Sequence, residues 1–560
     1  MKKNSKRLLT MSLSVLLAAL SLGLTSCGGG ADPTTGGDTP TTGGTPTTGG
    51  GNVPTTSGGG APSTSVKPND PILETDSIKD DVTKDADGLV EFDEEVQIRV
   101  WSIIGDPDQV KFQAIVDQFN EDYLGEIKIN ITYQGHFDYY TALDTTWTND
   151  FESFPDVCFM HNEKTTEYAA KGYLYPLDSL YDRAGVPMDF TDVYENIDRV
   201  TKYAGHRFAV PVDAHGFLTY LRQDIIKKNG LGFEGNTRFI PNSRAEYQSL
   251  LEGLRAKADA GELLIRNINR GQDHTWKKAS KDAFFPSFHQ STDPDGLSAL
   301  YANGGSMLNG DQKKIGFNKN NGFVTYVTDQ VERYNNRLIG ESATNQEMFA
   351  AGNTIMFTEG PWWASNTFEG SWNNSELRTA GSNGVTAEDA ADPVYSKPFI
   401  ASHPNGWWTL EENASNENAN KWYGNGHAVS ITRHATSMQK VAAALTFIKY
   451  YTQGYNEQKK MHNLTNWCSS GHIPAWKNVY ESEDYKKMVE NNVTCKALGN
   501  PEDIIAMEGI VYESTIFSAL ADAIAQVQTA YKSAKGCTVD QAKQIINEVA
   551  ESAEFMLDMM

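Results

Sequence analysis

Strand and helix patterns alternate from about residue 94 to residue 177, and this alternation constrains the fold more than any other feature. "EEVQIRVWSI" alternates and is rich in Val and Ile, which predicts a strand, and "DQVKFQAIVDQFNEDY" places apolar residues at helical spacing. "EIKINITYQG" predicts a second strand, and the short apolar "PDVCFM" predicts a third. Strands separated by helices form parallel sheets covered by helices, so the sequence predicts an α/β fold.

The rest of the chain extends this pattern into a second lobe. "GHRFAVPVDAHGFLTYLRQDIIKKNGL" predicts two strands broken at Pro211 and a helix that ends at Gly230. Helical patterns dominate 242–340, and "TSMQKVAAALTFIKYYTQ" and "TVDQAKQIINEVAESAEFMLDMM" predict two more helices. The roughly 470 residues that follow the N-terminal region suit two lobes, with a ligand cleft at the strand ends between them.

Residues 1–27 have the architecture of an export signal. Lysine and arginine open the segment, an uncharged apolar run covers 8–24, and Cys27 follows. The run is short for a stable membrane span, which needs about 20 apolar residues. Leu24-Thr25-Ser26-Cys27 resembles the bacterial lipobox, in which the cysteine thiol is acylated with diacylglycerol. We therefore predict lipidation at Cys27, and a plain secretory signal with an incidental cysteine is the alternative.

The segment 28–69 consists mostly of Gly, Thr, Pro and Ser, and "PTTGG" recurs in it. Such a composition buries too little apolar surface to offset the entropy of ordering. The sequence predicts a disordered tether that continues, through an acidic lead-in, to residue 92. A lipid and a flexible tether would hold an exported domain at the outer face of the cell membrane, or in the periplasm of a Gram-negative cell.

Charge and cysteine spacing limit the classes of partner. The formal net charge of -24 argues against nucleic acid or an anionic lipid surface as the main partner. No C-x-x-C pair occurs, so a cysteine-based zinc site is not predicted. Cys158, within "VCFM", is predicted to be a buried thiol, and disulfides among Cys158, Cys468, Cys495 and Cys537 stay open.

One acidic stretch, "TKDADGLVEFDEE", has some features of a calcium-binding loop. Asp85 and Asp87 precede Gly88, and Glu94 follows six residues later. However, Thr83 stands where the first Asp belongs, and the flanking residues do not predict two helices. We interpret the stretch as a solvated lead-in to the first strand, with calcium binding as the alternative, and predict no metal site.

Enzyme signatures are absent from the sequence. It contains no H-E-x-x-H, no G-x-S-x-G and no Walker loop. Its one G-x-G-x-x-G match, "GLGFEG", follows a predicted helix rather than a strand, which is typical of a turn. We predict no catalytic residue and no cofactor, although counting carboxylates cannot exclude a glycosidase pair.

Aromatic and polar residues recur at predicted strand ends and turns. Flat indole rings pack on the C–H faces of sugars, while carboxylates and amides hydrogen-bond the hydroxyl groups. This combination predicts a carbohydrate site. The predicted ligand-binding residues are Trp101, His161, Asn162, Glu163, Asp213, His215, Glu359, Trp362, Trp363, Trp407 and Trp467.

An ordered set of blocks resembles the bacterial extracellular solute-binding proteins of the sugar-binding, maltose-binding-protein-like kind. The blocks are "VWSIIGDPDQVKFQAIVDQFNEDY", "FPDVCFMHNEKTTEYAAKGYLYPLDSL", "YAGHRFAVPVDAHGFLTYLRQDIIKKNGL", "MFAAGNTIMFTEGPWW", "GNGHAVSITRHATSMQKVAAALTFIKYYT" and "SGHIPAWKNV". The resemblance implies a receptor for an ABC importer, with two hinged lobes that close on a sugar and dock on permease subunits. It implies that Trp362 stacks on a sugar ring and that Asp213 lies at the first crossing between lobes. "YLRQD" departs from the usual Tyr-Asn-Lys-Asp, so Arg222 and Gln223 inherit no role.

The resemblance also implies which parts of the folded chain form each of the two lobes. Lobe 1 is predicted to comprise 93–212 and about 426–470, and lobe 2 about 213–425 and 471–560. The sequence thus predicts a lipid-anchored sugar receptor without catalytic activity. A secreted carbohydrate-active enzyme and a glycan-binding surface adhesin remain the alternatives.

Overall fold

The computed structural model describes residues 70–106, 108–135, 138–288, 293–310, 312–340, 344–361, 374–404 and 406–560. The predicted signal, Cys27 and the segment 28–69 lie outside the described residues, as do Trp362 and Trp363. Among the described helices, none combines the length and the apolar character that a membrane span requires.

The first sheet has five strands, in the order Ile127–Tyr133, Val96–Ser102, Val157–His161, His427–Ile431 and Val210–Pro211. The first three strands run parallel, as the strand–helix alternation predicts. The other two each run antiparallel to the strand before them in this order, so the sheet is mixed rather than wholly parallel. Strand His427–Ile431 enters from distant sequence, and no local pattern signals its direction.

Helices cover this sheet because each has one apolar face. Gln109–Asp122 buries Phe112, Ile115, Val116 and Phe119 at helical spacing. Met438–Gln453 packs on strand Val96–Ser102 and buries most of its apolar residues. Both helices were predicted from the sequence, and both are confirmed.

The second sheet has four strands, in the order Ser287–Phe288, Met356–Glu359, Leu218–Leu221 and Ile400–Ser402. Leu218–Leu221 pairs antiparallel with both of its neighbours. A helical layer accompanies this sheet and encloses a separate core; its helices are Arg244–Asp259, Asp293–Ala302, Asn321–Asn335, Glu513–Lys532 and Val539–Met559.

The last helix begins at a local signal. The hydroxyl of Thr538 accepts a hydrogen bond from the Gln541 N–H, and the Gln541 side chain accepts one from the Thr538 N–H. This capping box explains why the helix was predictable from the sequence.

Shorter elements connect these layers. The remaining strands are Thr83–Lys84, Val90–Glu91, Lys202–Tyr203, His206–Arg207, Asp213–Ala214, Leu264–Ile265, Lys277–Lys278, Trp422–Tyr423, Tyr455–Asn456, Met461–His462, Ile473–Pro474 and Ile504–Ile505. The remaining α-helices are Tyr139–Asn149, Lys164–Ala170, Leu180–Arg183, Glu195–Asp198, Gln223–Lys228, Asn345–Ala351, Ala387–Ala391, Pro393–Ser396, Asn463–Cys468, Lys477–Tyr480, Glu483–Asn491 and Val493–Leu498.

All strands of the first sheet fall within 93–212 and 426–470, and all strands of the second fall within 213–425. The chain therefore passes between the two sheets more than once, and the structure is two-lobed. The lobe boundaries given above stay a prediction.

Candidate functional site

Three histidines and an aspartate from distant parts of the chain meet where the chain passes between the sheets. Asp213, His215, His427 and His472 are all buried, and one potential ligand atom of each lies within 4.8 Å of the others. We call these four residues the histidine cluster.

Short strands bring the cluster together. Asp213–Ala214 pairs with Ile473–Pro474, which places His472 beside Asp213 and His215. His427 opens its strand directly opposite His161 of the first sheet. Gly426 is required just before it, because a Cβ atom at this position would lie 2.1 Å from the Asp213 carbonyl oxygen.

Asp213 is the electrostatic centre of the cluster. Its carboxylate accepts hydrogen bonds from Trp467 Nε1 at 2.5 Å and from the His427 backbone N–H at 3.1 Å, and His427 Nδ1 lies 3.0 Å from it. Burial alone raises the pKa of Asp213, but the neighbouring imidazoles of His427 and His472 and the hydrogen bonds outweigh it. The pKa of this carboxyl is therefore held well below its usual range, and the group is ionised.

The three imidazoles respond differently to this carboxylate. Burial lowers the pKa of His427, but the attraction of Asp213 outweighs burial and raises it overall. Burial dominates at His215 and His472, and it lowers the pKa of both. His215 and His472 are consequently neutral at physiological pH and keep a nitrogen lone pair.

The end of strand Val157–His161 lies next to the cluster. The His161 ring centre is 5.6 Å from that of His427, and its Nδ1 is 3.8 Å from a Glu163 carboxylate oxygen. Asn162 is buried, and its backbone N–H donates to the Gly426 carbonyl. Burial, reinforced by the charge of Glu513, raises the pKa of Glu163 to about 8.

An ionic network beside Glu163 joins the two lobes. Lys164 pairs with Glu513, the first residue of helix Glu513–Lys532. Glu167 accepts hydrogen bonds from the Ser514 backbone N–H at 3.0 Å and from the Ser514 hydroxyl at 2.8 Å. A first-lobe carboxylate thus occupies the N-terminus of a second-lobe helix, where free N–H groups and the helix dipole favour negative charge.

The predicted ligand residues fall into four groups. His161, Asn162, Glu163, Asp213, His215 and Trp467 lie in or beside the histidine cluster. Glu359 lies apart, at the end of strand Met356–Glu359, and its carboxylate accepts the Gly360 N–H at 2.8 Å. Trp362 and Trp363 lie outside the described residues.

The fourth group, Trp101 and Trp407, lies in hydrophobic cores, as does the fully buried Trp467. Trp101 packs against Phe154 under the first sheet and is 9% exposed. Trp407 is fully buried in the second core, stacks on Tyr247, and donates its Nε1–H to the Pro241 carbonyl. Their indole faces are covered by protein, so Trp101 and Trp407 do not face a ligand in this structure. The alternation of apolar residues along a strand and the position of a residue in a turn could not show that these indole rings are buried.

Comparison with known proteins assigns the family. A family model for bacterial extracellular solute-binding proteins matches residues 114–493. The chain belongs to this family. No curated protein sequence matches it significantly.

Solved structures agree with the fold of this solute-binding protein. One similar structure is the GacH receptor of Streptomyces glaucescens, solved unliganded and with acarbose. The alignment covers 83% of this chain and 99% of the receptor chain, at 14% sequence identity and a TM-score of 0.57. UgpB from Mycobacterium tuberculosis, in complex with glycerophosphocholine, has the same coverage and identity and a TM-score of 0.58. The sugar-binding protein MalE from Xanthomonas citri covers 83% with 100% of its own chain, at 16% identity and a TM-score of 0.57. The two-lobed fold of periplasmic binding proteins is thereby confirmed.

Two members of the histidine cluster in this solute-binding protein, His427 and His472, were not predicted from the sequence. His427 and His472 each follow a glycine, in "GNGH" and "SSGH". Neither stands at ligand spacing from another histidine or carboxylate, because the pairing that unites them is tertiary. Only Asp213-x-His215 is a local pair, and a single such pair is a weak signal.

The other sites considered from the sequence do not gather ligands. Asp85 accepts the N–H groups of Asp87 and Leu89, both at 2.9 Å, in the turn of the hairpin formed by Thr83–Lys84 and Val90–Glu91. Within the described part of the chain, the histidine cluster is the one group of His, Cys, Asp and Glu with metal-ligand geometry. Cys158, Cys468, Cys495 and Cys537 are free and buried, so the predicted thiol at Cys158 is confirmed.

Proposed function

We propose that this solute-binding protein is the lipid-anchored receptor of an ABC importer and binds a carbohydrate in the cleft between its lobes. The family and the two-lobed fold support a binding role. The GacH and MalE relatives, which bind acarbose or are described as sugar-binding, support the carbohydrate class. The UgpB relative binds glycerophosphocholine, so glycerophosphodiesters belong among the competing ligands.

One observation carries the proposal. His161 ends a first-lobe strand, Asn162 and Glu163 follow it, and all three lie beside the segments that cross to the second lobe. Ligands of open α/β sheets bind at the carboxyl ends of strands. Carboxyl, amide and imidazole groups at this position can hydrogen-bond a ring of hydroxyl groups, and Trp362 supplies the stacking surface.

Closure of the lobes is the working step of this receptor. A ligand that contacts both lobes stabilises the closed form, because only that form offers both sets of contacts. The Lys164–Glu513 pair and the Glu167–Ser514 hydrogen bonds join the lobes beside the proposed site and favour the same form. The permease then recognises the closed receptor.

A thermal-shift screen tests the proposal. Mono- and oligosaccharides, glycerophosphocholine, amino acids and polyamines are added to the purified chain, and the mixtures are analysed for hydrolysis. We expect a saturable rise in Tm with one sugar class and no product. Trp362→Ala should abolish the rise and leave the ligand-free Tm nearly unchanged.

Trp276→Ala is the matched control, since Trp276 lies away from the crossing segments and its Nε1–H donates to Asp389. This variant should keep the sugar-induced rise. Stabilisation by no sugar would overturn the carbohydrate assignment, and steady glycan hydrolysis would favour the enzyme alternative.

A further inference from the structure

We infer that the histidine cluster binds one divalent transition-metal ion, of the zinc class, where the chain crosses between the lobes. Asp213 and His215 lie between strand Val210–Pro211 of the first sheet and strand Leu218–Leu221 of the second. His427 begins the first-sheet strand to which the chain returns from the second lobe. This inference goes beyond sugar binding, which requires no metal.

The donor set fits such an ion. Three imidazoles and one carboxylate are ligands typical of Zn²⁺ and its first-row neighbours. A tetrahedral zinc ion with bonds of about 2.0–2.1 Å separates its ligand atoms by about 3.4 Å. The four donors already lie within 4.8 Å of one another, so a bound ion would draw them together by at most about 1.4 Å.

Hydrogen bonds orient two of the four ligands. The Ser470 hydroxyl donates to the Trp467 carbonyl at 2.7 Å and lies 3.0 Å from His472 Nδ1. Since the serine proton is engaged, His472 Nδ1 carries the hydrogen that completes the second contact, and Nε2 retains its lone pair. Trp467 Nε1 donates to Asp213 and its ring stacks on His472. Such outer-shell contacts are what fixes tautomer and orientation in metal sites.

Hydrogen bonding among the four residues explains the cluster less well than a bound ion does. The ring centres of His215, His427 and His472 lie 4.9–5.5 Å apart, and all three rings are buried. Asp213 engages His427 at 3.0 Å and His215 at 3.4 Å, whereas His472 binds Ser470. A cation would give the three imidazoles a common partner and would balance the buried carboxylate.

The location gives the ion a mechanical role. Its ligands belong to three different strands or turns, each of which joins parts of the two lobes. A bound ion would fasten these segments to one another, and His161, with 16% of its side chain exposed, lies beside them on the side open to solvent. The ion would therefore stabilise one arrangement of the crossing segments.

Metal titration of the full chain tests the inference. The protein is produced without a histidine tag, and bound metal is first removed with a chelator. We expect one equivalent of Co²⁺ to bind with the visible absorption of a nitrogen-ligated ion, and Zn²⁺ to displace it and raise Tm. His215→Ala and His427→Ala should each weaken Zn²⁺ binding more than about 100-fold, and Trp467→Phe about 10- to 100-fold.

His206→Ala is the matched control, because His206 is exposed and contacts a carboxylate, Asp178, outside the cluster. It should bind metal like the unsubstituted chain. The cobalt spectrum of the unsubstituted chain decides the case even where a variant fails to fold. Absence of stoichiometric cobalt binding, or equal weakening by His206→Ala, would overturn the inference.

Discussion

Glu163 is a carboxyl group that the fold keeps away from water. Burial and the charge of Glu513 together raise its pKa to about 8, because Lys164 offsets them only in part. A carboxyl whose pKa is higher in the folded than in the unfolded state binds more protons when folded, so stability falls as pH rises through this interval.

We therefore expect Glu163→Gln to remove a pH dependence. Below about pH 4.5 the variant and the unsubstituted chain should have similar Tm values, because both side chains are then neutral. Above about pH 8 the variant should be the more stable, by more than about 1 kcal/mol in the free energy of unfolding. Melting curves from pH 4 to pH 9 measure the difference. Parallel curves would show that folding does not raise the pKa of Glu163.

Asp224 lies between two buried guanidinium groups. Arg222 donates to both of its carboxylate oxygens at 2.9 and 3.0 Å, and Arg266 donates to one of them at 2.9 Å. All three side chains are fully buried. Arg222, to which the family resemblance assigned no role, therefore has a structural one: it links strand Leu218–Leu221 to the carbonyls of Phe349 and Arg266.

Asp224→Asn should be strongly destabilising, by about 3–5 kcal/mol, because it leaves buried positive charge without compensation. Asp392→Asn is the control: Asp392 pairs with Lys227 near the surface, where such pairs contribute about 0–1 kcal/mol. Chemical unfolding measures the loss in the free energy of unfolding for each of the two variants. An equal, small loss would contradict the buried-charge argument.

Helix Glu513–Lys532 is anchored to the first lobe at its N-terminus. Glu167 caps the Ser514 N–H, and Lys164 neutralises Glu513. Glu167→Ala should remove the cap at a cost of about 1 kcal/mol and loosen the contact between the lobes. Small-angle scattering should then show a larger radius of gyration without ligand.

Glu548→Ala is the corresponding control, since Glu548 is an exposed residue that only pairs with Gln544 along its own helix. It should change neither the radius of gyration nor, by more than a few tenths of a kcal/mol, the stability. A Glu167→Ala protein as compact as the control would show that this contact does not hold the lobes together.

The elements that could be predicted from the sequence are those with local causes. Strand Val96–Ser102 alternates, helix Gln109–Asp122 has apolar residues at helical spacing, and the last helix has a capping box at Thr538. The antiparallel entry of His427–Ile431 could not be predicted, because its direction depends on a return from the other lobe. The same long-range pairing brings His427 next to Asp213. For this reason half of the cluster, His427 and His472, could not be predicted from the sequence. The burial of Trp407 could not be predicted, because it depends on Tyr247 and Pro241 from elsewhere in the chain.

The two sheets share one continuous apolar core. This core includes Val157 and Val429 of the first sheet together with Tyr220 and Phe357 of the second. The lobes are consequently not independent domains. Relative motion must be confined to a few residues in the crossing segments, and these are the segments that contain the histidine cluster.

Attachment to the membrane is proposed to depend on lipid at Cys27 rather than on charge. The formal net charge of -24 opposes adsorption to an anionic bilayer, whereas two acyl chains contribute about 0.8 kcal/mol for each buried CH₂. The tether that the sequence predicts for 28–69 would extend about 35 Å on average, so we expect the receptor to reach a permease beside its anchor.

Cys27→Ser should therefore move the protein from the membrane fraction to the soluble fraction of the cells or their medium. The unsubstituted chain should stay with membranes in a high-salt wash and be released by detergent, because hydrophobic insertion is not screened by salt. Cys537→Ser, which alters a thiol in the folded part, is the control and should remain membrane-bound. A Cys27→Ser protein that still sediments with membranes would place the anchor in the uncleaved apolar run 8–24 instead.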